Sequence, residues 1–417
     1  MTEPIHTRCC IAGGGPAGMM LGFLLARMGV DVVVLEKHGD FLRDFRGDTI
    51  HPSTLEVIAE LGLLELFLRR PHDEVEELAG QIGGETLTIA DFRHLPTRCR
   101  FIALMPQWDF LDFLSVHGSR YQGFRLMMEA TATGLIERDG RIVGVRAATK
   151  AGEQEILADL VVGADGRHST LRALAGLKVK DLGAPMDVFW MRITRRGSDP
   201  EQTFGHIEPG RIFVMLNRRD YWQCAFVIPK GSAESVRARG LDAFRAEIAG
   251  LSPFLADRVR ELGDWDQVKL LTVAVDRLER WYRPGLMCIG DAAHAMSPIG
   301  GIGINLAIQD AVAASNILGP PLLAGTLADA HLARLQRRRE LPTRLTQGLQ
   351  VLLQRRVIGR VLARNQPIAP PAVLRLVQRF PILRRLPARL VGMGFRPEHV
   401  LTPEARAAPR RSVAENN

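Results

Sequence analysis

Residues 9–36, CCIAGGGPAGMMLGFLLARMGVDVVVLE, decide the fold of this chain. An apolar run leads into three glycines and a helix-forming segment, and a second apolar run then ends at an acid. This order predicts a strand, a tight turn, a helix and a second, parallel strand. Gly13, Gly15 and Gly18 complete the GxGxxG spacing, which in this context indicates a dinucleotide-binding turn.

Three glycines and one acid in this stretch have separate physical roles. Gly13 permits the tight turn, Gly15 lets a pyrophosphate approach the backbone, and Gly18 allows the helix to pack closely on the strand. The N–H groups at the helix start favour a phosphate, and Glu36 can accept hydrogen bonds from both ribose hydroxyls. A glycine-rich turn without a ligand would leave the acid at the end of the second strand unexplained.

Length and composition indicate a folded protein of more than one domain. The 417 residues exceed one ordinary core, so we expect two or more domains. The N-terminal apolar run continues into the strand–helix–strand pattern and is therefore not interpreted as a signal peptide. No apolar stretch is long enough to span a membrane. The five cysteines show no CxxC spacing, so we expect buried thiols in a reducing cytosol, without disulfides or a metal site.

The net charge of +8 is concentrated at the C-terminal end of the chain. Thirteen arginines and only three glutamates lie from residue 355 onward, which makes general nucleic-acid binding a poor interpretation. Two interpretations of this segment stay open. It forms a solvated helical cap over the active site, or it attaches peripherally to anionic membrane, because residues 381–395 (PILRRLPARLVGMGF) mix arginines with apolar side chains.

Two further clusters of glycine and aspartate each follow a buried, strand-like run. One is GADG at residues 163–166, and the other begins with Gly290 and Asp291. Three parallel strands that end near one another could hold an extended ligand along its length. Asp291 can accept a hydrogen bond from a sugar or ribityl hydroxyl. The alternative for Asp291, and for Asp165, is a turn or helix-capping aspartate.

The third cluster continues into the predicted start of a long helix, at Pro298, Gly300, Gly301 and Gly303. Exposed N–H groups and the positive end of a helix dipole stabilise an anion. Such an anion would be the N1–C2=O region of a reduced isoalloxazine ring.

Short strand-like runs between turn residues predict a second, antiparallel unit. We expect about four strands there, at residues 188–194, 202–206, 211–216 and 221–228. Outside that unit, we predict a helix at 107–116 and single strands at 124–135 and 268–275.

The three motifs, in this order, resemble those of the class A flavoprotein monooxygenases, the p-hydroxybenzoate hydroxylase and UbiH-like family. They read GGGPAG, GADGRHSTLR and GDAAHAMSPIGGIGIN, and the resemblance extends from the N-terminus to about residue 318, with a further FRPEHV stretch near the end. It implies an α/β fold. A Rossmann-like FAD-binding domain of the GR2 type would carry an inserted antiparallel β-sheet substrate domain and a helical C-terminal segment.

The resemblance also implies a division of the chain. The FAD-binding domain would comprise residues 1–75, 104–180 and 276–345, and the substrate-binding sheet domain residues 76–103 and 181–275. Residues 346–402 would form the basic helical segment, and residues 403–417 a disordered tail.

Carried over by position, the resemblance implies a set of FAD-binding residues: Gly13, Gly15, Pro16, Ala17, Gly18, Glu36, Lys37, Arg46, Gln107, Asp165, Asp291, Pro298, Gly300, Gly301, Gly303, Ile304 and Asn305. Arg167 and Arg172 of the second motif are the candidates for contacts with NAD(P)H. No catalytic side chain is assigned, because none of the three tyrosines matches a tyrosine that assists phenolate formation in phenol hydroxylases.

One wall of the substrate pocket in this family is the antiparallel sheet, which makes Trp190, His206, Phe213, Met215 and Trp222 pocket candidates. By alternation, each of them is equally consistent with plain core or sheet surface. Two histidines, His51 and His294, lie beside the predicted flavin loops, where a hydrogen-bonded structural role is favoured over that of a base.

The implied reaction is a hydroxylation in the cytoplasm. NADPH or NADH reduces the bound FAD, O2 adds at C4a, and the hydroperoxide transfers one oxygen to a small aromatic or polyketide-like molecule. Alternatives are a flavin-dependent reductase or oxidase and a non-catalytic binding protein of the same fold. Halogenation is disfavoured, since residues 222–229 (WQCAFVIP) lack the second tryptophan of the WxWxIP signature.

Overall fold

The computed structural model describes residues 3–42, 49–82, 85–200, 204–363 and 372–405. The expected FAD contact of Arg46, and the predicted disordered tail beyond residue 405, lie outside these ranges.

Strands and helices alternate through the first part of the chain, and helices dominate after residue 300. The strands are β1 (Ile5–Ala12), β2 (Val32–Glu36), β3 (Thr49–Ile50), β4 (Asp73–Val75), β5 (Glu77–Ile82), β6 (Glu85–Asp91), β7 (Ile102–Leu104), β8 (Phe124–Met128), β9 (Thr131–Arg138), β10 (Arg141–Thr149), β11 (Gly152–Gly163), β12 (Val179–Asp181), β13 (Met186–Thr194), β14 (Phe204–Glu208), β15 (Arg211–Asn217), β16 (Tyr221–Pro229), β17 (Lys269–Leu271), β18 (Asp276–Leu278), β19 (Tyr282–Arg283) and β20 (Leu286–Cys288). The α-helices are α1 (Pro16–Arg27), α2 (Pro52–Glu60), α3 (Leu64–Leu68), α4 (Gln107–Gly118), α5 (Thr170–Leu174), α6 (Ala233–Ala238), α7 (Leu241–Leu251), α8 (Ile302–Ala324), α9 (Asp329–Leu353), α10 (Gly359–Leu362), α11 (Ala372–Arg379) and α12 (Arg385–Gly392).

A sheet of eight strands forms the first layer, with a parallel centre in the order β20–β11–β1–β2–β8. At its centre, residues 9–12 of β1 and 32–35 of β2 are continuous apolar runs, as expected for strands covered on both faces. In β1, all four residues from Cys9 to Ala12 are fully buried. Helix α1 packs against α8 and α4. The predicted α/β class with a Rossmann-like unit is thus confirmed, and the five cysteines are free and buried.

A second sheet has the order β17–β13–β16–β15–β14–β5–β6. It therefore contains seven strands among the described residues, where about four were predicted. The predicted count covered only residues 188–228; β5 and β6 lie in residues 76–103, which were assigned to the same sheet domain without a strand count. β5 joins β14 by a parallel pairing between segments far apart in sequence. One face of the sheet packs against α7, and the other face against Ile299 and residues 358–362.

Two segments predicted as single strands are shorter or divided. Residues 124–135 form β8 and β9, because Glu129 between them has a φ of 54° and interrupts the extended backbone. Residues 268–275 keep strand structure only in β17. The N–H of Val273 donates to the side-chain carboxylate of Asp187 on β13 (2.9 Å) and not to a backbone carbonyl of that strand.

The C-terminal segment is helical, as predicted, and packs on the second sheet. Helix α9 leads into a π-helical turn, Gln354–Ile358, and then into α10, which contacts β15 and β16. Helices α11 and α12 contact β6. Within the described ranges, no helix combines the length and the apolar character needed to cross a bilayer.

Candidate functional site

The three glycine–aspartate clusters lie at one edge of the first sheet. They follow β1, β11 and β20, which are adjacent and parallel, and their last residues are in register: Ala12 pairs with Gly163, and Gly163 with Cys288. The carboxyl edge of a parallel sheet is where α/β folds bind ligands. The predicted meeting of three strand ends is therefore present.

The first turn has room for a ligand at one glycine only. Gly13 has a φ of 112°, and a Cβ there would lie 2.3 Å from the carbonyl oxygen of Ala164. A Cβ at Gly18 would lie 1.9 Å from the carbonyl oxygen of Gly13. A Cβ at Gly15, in contrast, would meet no atom of the described residues within 4 Å. The close packing at Gly13 and Gly18, with open space at Gly15, fits a backbone shaped for a pyrophosphate.

Glu36 is bound to the turn that it was expected to serve. Its Oε2 accepts from the N–H of Gly14 (3.0 Å), and its Oε1 accepts from the N–H of His38 (3.1 Å). The carboxylate is only half-buried, so an adenosine ribose can still approach it.

The second cluster is linked to the third by an arginine. The guanidinium of Arg167 lies 3.5 Å from Asp291 Oδ2. Asp165 Oδ2 accepts from the N–H of Leu171 (3.2 Å), whereas its Oδ1 is buried without a partner among the described residues. Arg172 is held by Asp276 (3.4 Å), by the carbonyl oxygen of Ala292 (3.4 Å) and by that of Arg167.

Arg167 and Arg172 therefore differ as candidates for a nicotinamide cofactor. The side chain of Arg172 is nearly buried and joins two loops of the protein, so its local role is structural. Arg167 keeps more of its side chain in solvent and has a single weak ion pair, which leaves its charge accessible.

The buried carboxylate of Asp310 holds the turn after β20 through a hydrogen bond. Gly290 has a φ of 58°, and its N–H donates to Asp310 Oδ2 (3.0 Å). His294 Nε2 lies 2.6 Å from the same oxygen and is itself buried. His294 thus has the hydrogen-bonded structural role that was favoured, and so has His51, whose Nδ1 lies 2.7 Å from the carbonyl oxygen of Val391.

The loop before α8 presents backbone N–H groups. Gly300 and Gly301 have φ values of 73° and 63°, and a Cβ at Gly301 would lie 2.1 Å from Thr49 Oγ1. Gly301 is the N-cap of α8 and provides no side chain to cap it. The first N–H groups of a 23-residue helix are therefore available to an anion at this point.

Asn305, one of the predicted flavin contacts, is used within the protein. Its Oδ1 accepts from the N–H of His51 (2.9 Å) and from Thr54 Oγ1 (2.7 Å). Its Nδ2 donates to the carbonyl oxygens of Thr49 and Gly301, both at 3.3 Å. These four bonds satisfy the amide fully. The side chain of Asn305 therefore holds the Gly300–Gly301 loop against residues 49–54.

The other predicted cofactor residues lie around the same edge. Pro16 and Ala17 open α1, Gln107 opens α4, Pro298 and Gly303 flank the glycine loop, and Ile304 is a buried residue of the first turn of α8. Lys37 is exposed directly after β2.

The pocket candidates divide between the two faces of the second sheet. Trp190 lies on the face that carries Ile299, the residue after Pro298. Phe213, Met215 and Trp222 lie on the opposite face and are fully buried with α7. His206 pairs directly with Phe213 and shares that face, since opposed residues of antiparallel strands point the same way. Of the five candidates, Trp190 alone lies on the face toward the loop.

Three glutamines at the end of α9 and the start of the following π-helical turn contact the segment before the glycine loop, and they were not identified from the sequence. Gln347, Gln350 and Gln354 are buried and bond the backbone or side chains of residues 295–299. The sequence contained one indication of them: the three glutamines recur at helical spacing in a segment rich in leucine and arginine. If that face of the helix is buried, its amides require hydrogen-bond partners.

The residues at this edge fit an FAD molecule. The turn with open space at Gly15, the half-buried carboxylate of Glu36 and the uncapped start of α8 lie along the strand ends. The buried Oδ1 of Asp165 still requires a donor. Held here, FAD would meet the turn of Gly13–Gly18 with its pyrophosphate, Asp291 with its ribityl chain and the start of α8 with its ring.

Comparison with known proteins gives the same result. A family model described as an FAD binding domain matches residues 6–347. The chain is 33% identical over 385 residues to 6-methylpretetramide 4-monooxygenase of Streptomyces rimosus, covering 91% of this chain and 92% of that protein. It is 31% identical over 317 residues to a rifampicin monooxygenase of Streptomyces venezuelae and spans 61% of that longer relative.

A solved structure shares the fold. PqsL of Pseudomonas aeruginosa, in complex with 2-aminobenzoylacetate, superposes with a TM-score of 0.74 at 23% identity. The alignment covers 86% of this chain and 98% of PqsL. At this identity the likeness concerns the fold alone.

Proposed function

This chain belongs to the class A family of FAD-dependent aromatic monooxygenases, and we propose that its substrate is an aromatic, polyketide-like molecule. The observation that carries the proposal is the 33% identity over nearly the full length of a relative named for 6-methylpretetramide. The sheet face beside the loop supports it, because Trp190 and Val214, both half-buried, offer a flat apolar substrate an apolar wall.

The chain contributes binding, orientation and exclusion of water. FAD supplies the redox chemistry, with NAD(P)H as the reductant and O2 as the oxidant. The glycine turn holds the pyrophosphate, the start of α8 stabilises negative charge, and the apolar sheet face keeps the reacting centre dry. We propose residues 1–75, 104–180 and 276–345 as the cofactor domain, with residues 76–103 and 181–275 as the substrate domain.

The test is turnover with isotopically labelled O2. The purified protein, with FAD, is given NADPH or NADH and a panel of aromatic polyketides, and the products are analysed by mass spectrometry. We expect one labelled oxygen atom in one product, together with faster NAD(P)H oxidation. Hydrogen peroxide with every compound, and no labelled product, would indicate an oxidase or reductase. A protein that binds no FAD would be a non-catalytic relative.

We propose Arg167 as the contact for NAD(P)H, because its charge is accessible beside Asp291. Arg167→Gln should raise the KM for the nicotinamide several-fold, since a charged hydrogen bond contributes about 1.5–3 kcal/mol. The matched control is Arg138→Gln, because Arg138 is an exposed arginine at the end of β9, away from the three glycine clusters in sequence. Equal KM values for the two variants would contradict the assignment.

We also propose a contact between the C-terminal segment and anionic lipid. No acidic residue occurs between Glu340 and Glu398. Around α12, Ile382 is 66% exposed and Leu386 65% exposed, with Arg385 exposed beside them. Exposed apolar side chains that alternate with arginines favour the interface of a negatively charged bilayer, where both kinds of side chain find partners.

Vesicle sedimentation tests this contact. The protein should sediment with vesicles containing phosphatidylglycerol, but not with pure phosphatidylcholine, and Ile382→Ser with Leu386→Ser should abolish binding. Leu401→Ser is the matched control, because Leu401 is 78% exposed but lies outside this surface. No sedimentation of the unmodified protein, or equal loss in the control, would overturn the proposal and favour an acidic protein partner.

A further inference from the structure

Three glutamines form one buried face at the end of α9. Gln347 and Gln354 are fully buried, and Gln350 is nearly so. Their spacing of three and then four residues places them on one side of the helix. Because a buried amide is unfavourable unless its hydrogen bonds are made, this face requires specific partners.

The partners are Ala295, Ser297 and Ile299, in the segment that leads into the glycine loop before α8. Gln347 Nε2 donates to the carbonyl oxygen of Ala295 (3.1 Å). Gln350 Oε1 accepts from the N–H of Ser297 (3.2 Å), and its Nε2 donates to the carbonyl oxygens of Ser297 and Ile299, both at 3.2 Å.

Gln354 completes the pattern through a hydroxyl. Its Nε2 donates to Ser297 Oγ (2.5 Å), and the same oxygen accepts from the N–H of Ile299 (3.3 Å). The glutamine face thus holds residues 295–297, which form no helix or strand, and reaches Ile299, the first residue of the 3-10 turn Ile299–Gly301. This turn contains Gly300 and Gly301 and leads directly into α8.

From these contacts we propose that Gln350 and Gln354 are positioning residues for the isoalloxazine ring. They fix the backbone from Ser297 to Ile299 and thereby the N–H groups that follow it. The glutamine amides hold this backbone without adding a formal charge. The positive potential at the ring therefore still comes from the start of α8. The inference rests on the proposed flavin function.

The test compares Gln350→Met and Gln354→Met with Thr346→Val. Methionine keeps the length and volume of glutamine but removes its hydrogen bonds. Thr346, also buried on α9, bonds only within its own helix, to the carbonyl oxygen of Pro342 (2.8 Å), so it is the matched control. We expect the Kd for FAD to rise about tenfold or more in the glutamine variants. We also expect a shifted flavin absorption spectrum, with neither change in Thr346→Val.

Amide hydrogen exchange on the FAD-free protein gives an independent reading. Exchange at Ser297 and Ile299 should accelerate in the glutamine variants and stay unchanged in Thr346→Val. Unchanged exchange and unchanged FAD affinity in the glutamine variants would overturn the proposal. If exchange accelerates in the glutamine variants but the unmodified protein binds no FAD, the flavin function is refuted, and with it the role of the glutamines toward the ring.

Discussion

Arg339 donates from Nε to Asp310 Oδ1 over 2.8 Å, and both side chains are completely buried. Burial raises the pKa of Asp310, but His294 and Arg339 outweigh it with charge and hydrogen bonds, so that its pKa stays below the usual range. Since Asp310 also accepts from the N–H of Gly290, the pair connects α9 to the turn that bears Asp291.

Replacing Arg339 should be far more destabilising than replacing its neighbour. Arg339→Met leaves the Asp310 carboxylate buried without its cation, which costs about 3–5 kcal/mol. The neighbouring Arg338 pairs with Glu398 at 2.7 Å, but its side chain is 33% exposed. Arg338→Met should therefore lower the unfolding free energy by about 1 kcal/mol or less. Denaturant unfolding of both variants measures the difference. Equal losses of unfolding free energy would show that burial of the pair is not the cause.

Gly15→Ala should separate cofactor binding from folding. The new methyl group meets no atom of the part of the chain that the structure describes within 4 Å, and the φ of −75° suits alanine, so unfolding free energy should change by about 1 kcal/mol or less. The methyl group occupies the approach of the pyrophosphate, so the Kd for FAD should rise about tenfold or more.

Gly18→Ala is the contrasting variant, because its Cβ would lie 1.9 Å from the carbonyl oxygen of Gly13. It should lose stability as well as FAD affinity. The assignment of the turn fails if Gly15→Ala binds FAD with unchanged affinity in fluorescence titration.

Local patterns made the first part of the site predictable. Gly18 and Glu36 meet atoms of their own strand–turn–helix–strand stretch, so spacing determines these contacts. The same holds for Gly300 and Gly301, whose function follows from the helix that they begin. The close approach of Gly13 to Ala164, in contrast, joins segments far apart in the chain.

Partners distant in sequence were not predictable in this way. Arg339 meets Asp310 across 29 positions and Glu398 across 59, and Gln350 meets Ser297 across 53. Such pairs depend on how α9 crosses α8, which no local pattern specifies. Alternation separated the two faces of the second sheet but could not identify the one toward Ile299, so the pocket candidates included Phe213 and Trp222, which lie on the opposite face.

The stability of the protein should fall between pH 6.5 and pH 4 because of His51. Burial lowers the pKa of His51 to about 4, and the hydrogen bond to Val391 compensates only in part. In the unfolded chain the group titrates near pH 6.5. The unfolded state therefore binds more protons in this window, so unfolding free energy rises with pH across it, by about 3 kcal/mol in total.

His51→Gln measures this contribution, because glutamine can still donate to Val391 and does not titrate in the window. The difference in unfolding free energy between the two proteins should change between pH 6.5 and pH 4 and stay constant from pH 7 to pH 8. A difference that is constant over the whole range would mean that His51 titrates alike in both states.

Trp190 and Trp222 should respond oppositely to replacement by phenylalanine, because they lie on opposite faces of one sheet. Trp222 Nε1 donates to Asp199 (2.9 Å), which also pairs with Arg258 (2.7 Å) in the core, and these hydrogen bonds hold the pKa of Asp199, despite its burial, near 2. Trp222→Phe should therefore cost about 1–3 kcal/mol of unfolding free energy and leave substrate KM unchanged.

Trp190 Nε1 is buried without a partner among the described residues, so Trp190→Phe removes a polar atom that the protein does not use. Its stability should change by about 1 kcal/mol or less, whereas substrate KM and the fraction of NAD(P)H consumption that yields hydroxylated product should both change. Steady-state kinetics and unfolding curves on the two variants decide the matter. If Trp222→Phe altered KM and Trp190→Phe did not, the substrate would lie on the α7 face, and the assignment of the pocket to the face of Ile299 would be wrong.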